Sequence, residues 1–381
     1  VTTRELMQVP MGAGSTAAEV YSGIARMAGV LWCARVRARE GRRADTAVVV
    51  VHPSSNFLGH YALESWAALG VDAIAMTTRY LGNDSVLLLE NCVLDVGSVV
   101  RHLKREGYER VVLVGNSGGG GLVCLYQSQA VKPTITASPG GGGPDLTTAE
   151  LIPADALVML MAHPGRANLL VEWLDPAIRD EHDPFDRDAG LDMFDPRHSV
   201  PYDRDWLAAY RAAQVARGER ITAWVLDRLA VLDGRDGRDG PADLPFSVHG
   251  TCADPRHLDL TIDASDRAIG TLWGPARAAN MQPTTLGHLT SLRSWLSQWS
   301  LRTSNGDGPR LLRETTHPVH VIYGTADQGC FPSHAYQLYE AVPHDTKRLT
   351  PIAGGRHYLN GQPELITQMA EALIGWTREV L

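Results

Sequence analysis

The sequence contains no Cys-x-x-Cys pair. Its five cysteines, Cys33, Cys92, Cys124, Cys252 and Cys330, are odd in number and widely scattered. That argues against a disulfide framework or a paired-cysteine metal site, and for reduced, buried thiols. No apolar run approaches the roughly 20 residues that a membrane-spanning helix needs. The stretch Val1 to Pro10 lacks a charged segment followed by an apolar one. No signal peptide is read there, and a cytoplasmic protein is expected. Basic residues are not in excess: the formal net charge is −8, so no stripe is available to neutralise a phosphate backbone. Neither nucleic acid nor a membrane is expected as a partner. There is no His-Glu-x-x-His, no Gly-x-Gly-x-x-Gly at a strand end and no Lys-Ser/Thr to complete a P-loop. No metal or other cofactor is called for. Internal repeats are also missing.

What is present is ordinary globular material, 44% hydrophobic and 20% charged, in 381 residues. That length suffices for one large domain or for a core with a substantial insert. Leu31 to Arg39 alternates apolar and basic residues, which predicts a half-exposed strand at an antiparallel edge. Thr46 to Val51 and Val71 to Met76 read as strands buried on both faces. Leu58 to Leu69 and Leu87 to Arg105 carry helical patterns. Arg110 to Val114 is a further buried strand, and Leu122 to Gln129 continues as helix. This alternation implies a mostly parallel sheet with helices on both faces. After the run Ala156 to Met161 the regularity stops. From Arg166 to about Arg313 the chain is rich in Trp, Asp, Arg and Pro, with helical stretches expected at Trp206 to Leu232 and Leu286 to Trp299. Strands resume at Val319 to Tyr323 and Lys347 to Ile352, and Leu365 to Leu381 closes as an amphipathic helix.

The chemistry centres on Gly115-Asn116-Ser117-Gly118-Gly119, directly behind the strand Arg110 to Val114. A strand, a very sharp turn carrying a serine and then a helix is a nucleophile elbow, which lifts the hydroxyl above the sheet. Such a turn leaves no room for side chains two residues before and after the serine, and both positions are glycine. A serine hydroxyl needs a base within hydrogen-bond reach, and that base needs an orienting carboxylate. In a doubly wound sheet, functional groups collect at the carboxyl ends of strands. Gly324-Thr325-Ala326-Asp327 follows the strand Val319 to Tyr323. Gly354-Gly355-Arg356-His357 follows the strand Lys347 to Ile352. The chain order is thus Ser117, Asp327, His357.

With these segments and Val51-His52-Pro53, the sequence resembles the α/β-hydrolase superfamily, over Thr46 to Gln129 and Val319 to Leu381. The resemblance implies an α/β-hydrolase core, with a first part at 1–165, a large, mainly helical cap inserted at 166–313 and a second core part at 314–381. It implies Ser117 as nucleophile, His357 as general base and Asp327 as its orienter. One oxyanion donor is then the backbone N–H of Gly118. The other comes from the loop after Thr46 to Val51, where superfamily members often have His-Gly. Here His52-Pro53 stands instead, and proline has no N–H, so the donor shifts to Ser54, with Ser55 as the second choice and the Asn56 amide able to assist. The expected activity is hydrolysis of an ester or lactone of a sizeable, partly apolar small molecule through an acyl-enzyme. The rivals are a carbon–carbon bond hydrolase acting next to a ketone, an acyltransferase or thioesterase with the same triad, and a non-catalytic ligand receptor. The oligomeric state is open, with a homodimer among the options.

Other features receive plainer readings. His317 and His320 sit at the wrong end or inside of their strand, and His334 and His344 read as surface residues. His52 and His60 support the oxyanion loop. Asp180-Glu181-His182-Asp183 reads as a solvated acidic turn. Asp233 to Gly240, rich in Asp-Gly-Arg, reads as a mobile tip, and Gly140 to Gly143 as a link. Most of the nine tryptophans belong to the core of the insert, with one or two lining an apolar pocket.

Overall fold

The computed structural model describes residues 4–12, 29–234, 243–283 and 285–381. Most of the Asp-Gly-Arg loop expected as a mobile tip, 235–240, lies outside them. Six strands lie side by side in one sheet, five of them largely apolar runs and the sixth, at the edge, the more polar Lys347–Ile352. They are β3 (Thr46–Val51), β4 (Asp72–Met76), β5 (Arg110–Asn116), β6 (Ala156–Leu160), β7 (Val319–Gly324) and β8 (Lys347–Ile352). Adjacent members of this set are parallel. Two more strands, β1 (Arg4–Pro10) and β2 (Val30–Val36), extend the sheet antiparallel beyond β4. The spatial order is β1-β2-β4-β3-β5-β6-β7-β8.

The early strand therefore forms as expected, but not at the edge and not half-exposed. β1 pairs along its whole outer side. The basic residue that suggested exposure, Arg35, is buried, and it is held by Glu5 Oε2 at 2.8 Å and Glu106 Oε2 at 2.6 Å. Two charge-assisted contacts offset the cost of taking a guanidinium out of water.

Helices cover both faces. α2 (Leu89–Arg105) and α3 (Gly119–Val131) share one apolar layer with the sheet. α1 (Leu63–Ala68) and the closing helix, Pro363–Val380, share the other. α1 is shorter than the pattern Leu58 to Leu69 suggested, because residues before it form turns held by His60 N–H donating to Phe57 O at 2.8 Å.

Between β6 and β7 the chain leaves the sheet. It forms α4 (Arg166–Trp173), a hairpin of Ile178–Asp180 with Asp183–Arg187, and the thirty-residue α5 (Arg204–Asp233). Leu170, Ile221, Val225, Trp295 and Trp299 make an apolar cluster within this stretch. The helix expected over Leu286 to Trp299 is broken. Leu289–Ser291 pairs with Pro245–Ser247, and only then do a single helical turn and a wider turn, Trp295–Trp299, follow. Ser291 Oγ caps that start by accepting from Ser294 N–H. Among the described residues no helix is long and apolar enough to cross a membrane.

Three core histidines carry a testable consequence. Burial pushes His60 and His257 down to about 4 and His320 to about 3. Each is neutral when folded, while the unfolded chain takes up its proton near 6.5. Stability is complete above that value and is lost as pH falls toward the folded values, by up to about 1.4 kcal/mol per pH unit for each histidine. Depressed carboxylates act only at lower pH. Thermal unfolding followed from pH 7 to pH 5 is expected to show a falling Tm. A flat profile would contradict this account of the buried imidazoles.

Candidate active site

The elbow is built by backbone crowding. A Cβ at Gly115 would lie 2.4 Å from Gly119 O, and one at Gly119 would lie 2.0 Å from Val51 O. Neither neighbour is a side chain that can swing away, so both positions must stay glycine. Between them Ser117 takes φ +55°, a left-handed conformation that costs a non-glycine residue about 1–3 kcal/mol and is held by its surroundings. Ser117 N–H donates to Leu160 O at 3.1 Å, and Gly120 N–H to Ser117 O at 3.2 Å. Asn116 fixes the turn from the other side: its Nδ2 donates to Leu160 O, and its Oδ1 lies 3.1 Å from His60 Nε2.

Loops after β7 and β8 bring the other two groups. They are stitched together by Ala326 N–H donating to Gly355 O at 3.0 Å. His357 Nδ1 lies 2.8 Å from Asp327 Oδ2, and His357 Nε2 lies 2.9 Å from Ser117 Oγ. The three residues named from the sequence thus meet in one hydrogen-bonded line. Asp327 Oδ1 accepts from Gly329 N–H at 2.7 Å and Cys330 N–H at 2.9 Å, so both carboxylate oxygens are engaged. A carboxylate only accepts, so Nδ1 carries the imidazole proton and Nε2 turns its lone pair to the serine hydroxyl. Asp327 and His357 are both buried, and Tyr358 packs edge-on against the imidazole, ring centroids 4.4 Å apart. Asp327, Cys330 and His357 are the one cluster of metal-capable side chains among the described residues. Two of its three members are already committed to this line.

The oxyanion loop differs from expectation. Ser54 N–H and Ser55 N–H both donate to His52 Nδ1, at 3.1 and 2.9 Å. With Pro53 lacking an N–H, the backbone donor assigned to Ser54 is spent inside its own loop. An imidazole nitrogen that accepts cannot carry the proton, so that proton sits on His52 Nε2. This atom lies 2.8 Å from where a Gly118 Cβ would be. Burial, reinforced by nearby Arg166, His163 and His357, holds His52 far below its usual 6.5 and therefore neutral.

A cavity of about 510 Å³ opens over Ser117. Its core-side wall carries His52, Ser54, Gly118, His163 and His357. Leu169, Trp173, Trp273, Leu286 and Trp299 from the stretch between β6 and β7 form the facing wall. Three tryptophans line it, where the sequence suggested one or two. His334, read as a surface residue, is buried: Glu172 Oε2 lies 2.9 Å from its Nε2, tying the helix Pro332–Ala341 to α4. Asp175 accepts from Arg187 at 2.9 Å and from Asn280 at 2.7 Å and does not line the cavity.

Sequence reasoning missed His163 and Arg166. Both follow the carboxyl end of β6, a position the strand-end rule marks as functional.

No known family model matches the sequence, and a search of curated proteins finds no match. Solved structures do match. DcsB in complex with its substrate analogue aligns over 100% of both chains at 13% identity, with a TM-score of 0.51. An esterase domain from Rhodothermus marinus covers 99% of this chain and 98% of its own, at 11% identity and TM-score 0.46. A monoacylglycerol lipase from Paleococcus ferrophilus covers 92% and 99%, at 14% and 0.46. At 13% identity the likeness to DcsB concerns the fold alone. With the strand order, it gives the chain the α/β-hydrolase fold.

Proposed function

We propose that this chain is a serine hydrolase that cleaves an ester or lactone through an acyl-enzyme on Ser117. The observation that carries the reading is the continuous line from Asp327 Oδ2 through His357 to Ser117 Oγ, at 2.8 and 2.9 Å, at the floor of a cavity. His357 Nε2 takes the serine proton as Oγ attacks the carbonyl carbon, and then delivers it to the leaving alkoxide. The same nitrogen deprotonates water in the second half-reaction, and Ser117 is released as the acid departs. Asp327 accepts from Nδ1–H and steadies the imidazolium.

The negative charge that develops on the carbonyl oxygen needs donors placed beforehand. Gly118 N–H, at the start of α3, is one, because the first N–H groups of a helix have no partner inside it. His52 Nε2–H is the second, in place of Ser54. A neutral imidazole suits this task, since it offers a donor without competing for the serine proton.

Residues 166–313 act as the cap in this reading. Its tryptophans roof a cavity within the usual range of about 300–1,000 Å³ for small ligands. That favours a partly apolar small molecule over a polymer. A fluorophosphonate probe is expected to label the wild-type chain and not Ser117→Ala, and an aryl ester is expected to yield acid and phenol in equal amounts. Labelling at another residue would remove Ser117 from this role.

A further inference from the structure

The cavity over Ser117 is one-sided in charge. Arg166 and Arg356 line it together with His52, His163 and His357, and among the described residues no Asp or Glu does. Arg356 is exposed at the mouth, but Arg166 is buried, only 4% exposed. Its guanidinium lies over the Trp299 ring, 4.2 Å from the centroid, and Nη2 pairs with Asp84. Among the described residues no hydrogen bond besides that to Asp84 engages the guanidinium, and its Nε is closed off within the wall. Arg166 also opens α4, so the positive end of the helix dipole adds to its field. The effect on its neighbours is visible: Arg166 is among the causes that keep both His52 and His163 neutral, after burial itself.

Trp299 fixes the plane of the guanidinium and Asp84 holds one end of it. What remains is a guanidinium in the wall of a cavity that no described Asp or Glu lines. We propose that the Arg166 guanidinium receives a carboxylate of the substrate, so that the compound hydrolysed at Ser117 is an acid ester or a lactone bearing a free carboxylate. This rests on the hydrolase reading above and narrows it from neutral esters to anionic ones. Asp84 engages Nη2 alone, and its own side chain is 29% exposed and absent from the cavity lining. Apolar contacts from Leu169, Trp173 and Trp273 would then hold the hydrocarbon part of the molecule.

The test measures protection of Ser117 from a fluorophosphonate probe, using hexanoate and hexanamide as matched ligands. Hexanoate is expected to protect at a concentration about tenfold to a hundredfold lower than hexanamide, as for a hydrogen bond to a charged group. Arg166→Met is expected to erase the difference, and Arg166→Lys to retain part of it. The wild-type comparison stands even if Arg166→Met fails to fold. Equal protection by the two ligands would overturn the carboxylate subsite while leaving the serine reading intact. An unlabelled Ser117 would remove the reading on which the subsite depends.

Discussion

Ser117→Ala is expected to lower kcat on an aryl ester by about 10⁶-fold, and His357→Ala by a similar factor. The double variant should be little worse than either single one. The two groups act as a unit: a hydroxyl without its base hardly attacks, and a base without its hydroxyl has nothing to activate. Additive losses would mean that Ser117 and His357 serve separate steps, which the 2.9 Å contact between them does not support. Asp327→Asn should fall between, at about 10⁴-fold, because an amide in that position can donate to Nδ1 and turn the imidazole to the wrong tautomer. Steady-state kinetics on the folded variants read all of these losses directly.

His52 carries the second large expected effect. Asn at this position keeps an acceptor for Ser54 N–H and Ser55 N–H, since Asn side chains commonly accept from the backbone two residues on. It withdraws the distal donor, because its amide ends short of where Nε2 stands. His52→Asn is therefore expected to lower kcat by about 10²–10³-fold with KM little changed and Tm nearly preserved. Affinity for a boronic acid, whose adduct with Ser117 is tetrahedral and anionic, should fall by a matching factor. A purely structural role for His52 would lower Tm and leave the boronic acid series parallel to substrate binding. Unchanged kcat in His52→Asn would return the oxyanion donor to the backbone.

Much of this was legible in the residues, for identifiable reasons. Strands β3, β5, β6 and β7 are continuous apolar runs because a parallel sheet with helices on both faces buries both sides of each strand. The elbow was legible because its glycines answer to backbone contacts at Val51 and Gly119, which no other residue type can satisfy. Asp327 and His357 were found because strand ends concentrate function.

Other features depend on partners distant in sequence. β1 carries Arg4, Glu5 and Gln8, and its strand character comes from pairing with β2 rather than from its own pattern. Arg35 on β2 looked solvent-facing because its acceptors, Glu5 and Glu106, lie 30 and 71 residues away. His334 likewise takes a buried place through Glu172, 162 residues earlier. Counting which residues possess an N–H leads to Ser54, and only the structure reveals that His52 Nδ1 receives that N–H.

The central claim is that Ser117 becomes covalently acylated and that His357 drives both halves of the cycle. Intact-mass spectrometry of the chain, quenched milliseconds after mixing with a p-nitrophenyl ester, tests it most directly. The expected result is a mass increase of one acyl group, located on the peptide carrying Ser117 and formed in step with a burst of nitrophenolate. Full turnover with no acylated species, or the same adduct persisting in Ser117→Ala, would contradict the account.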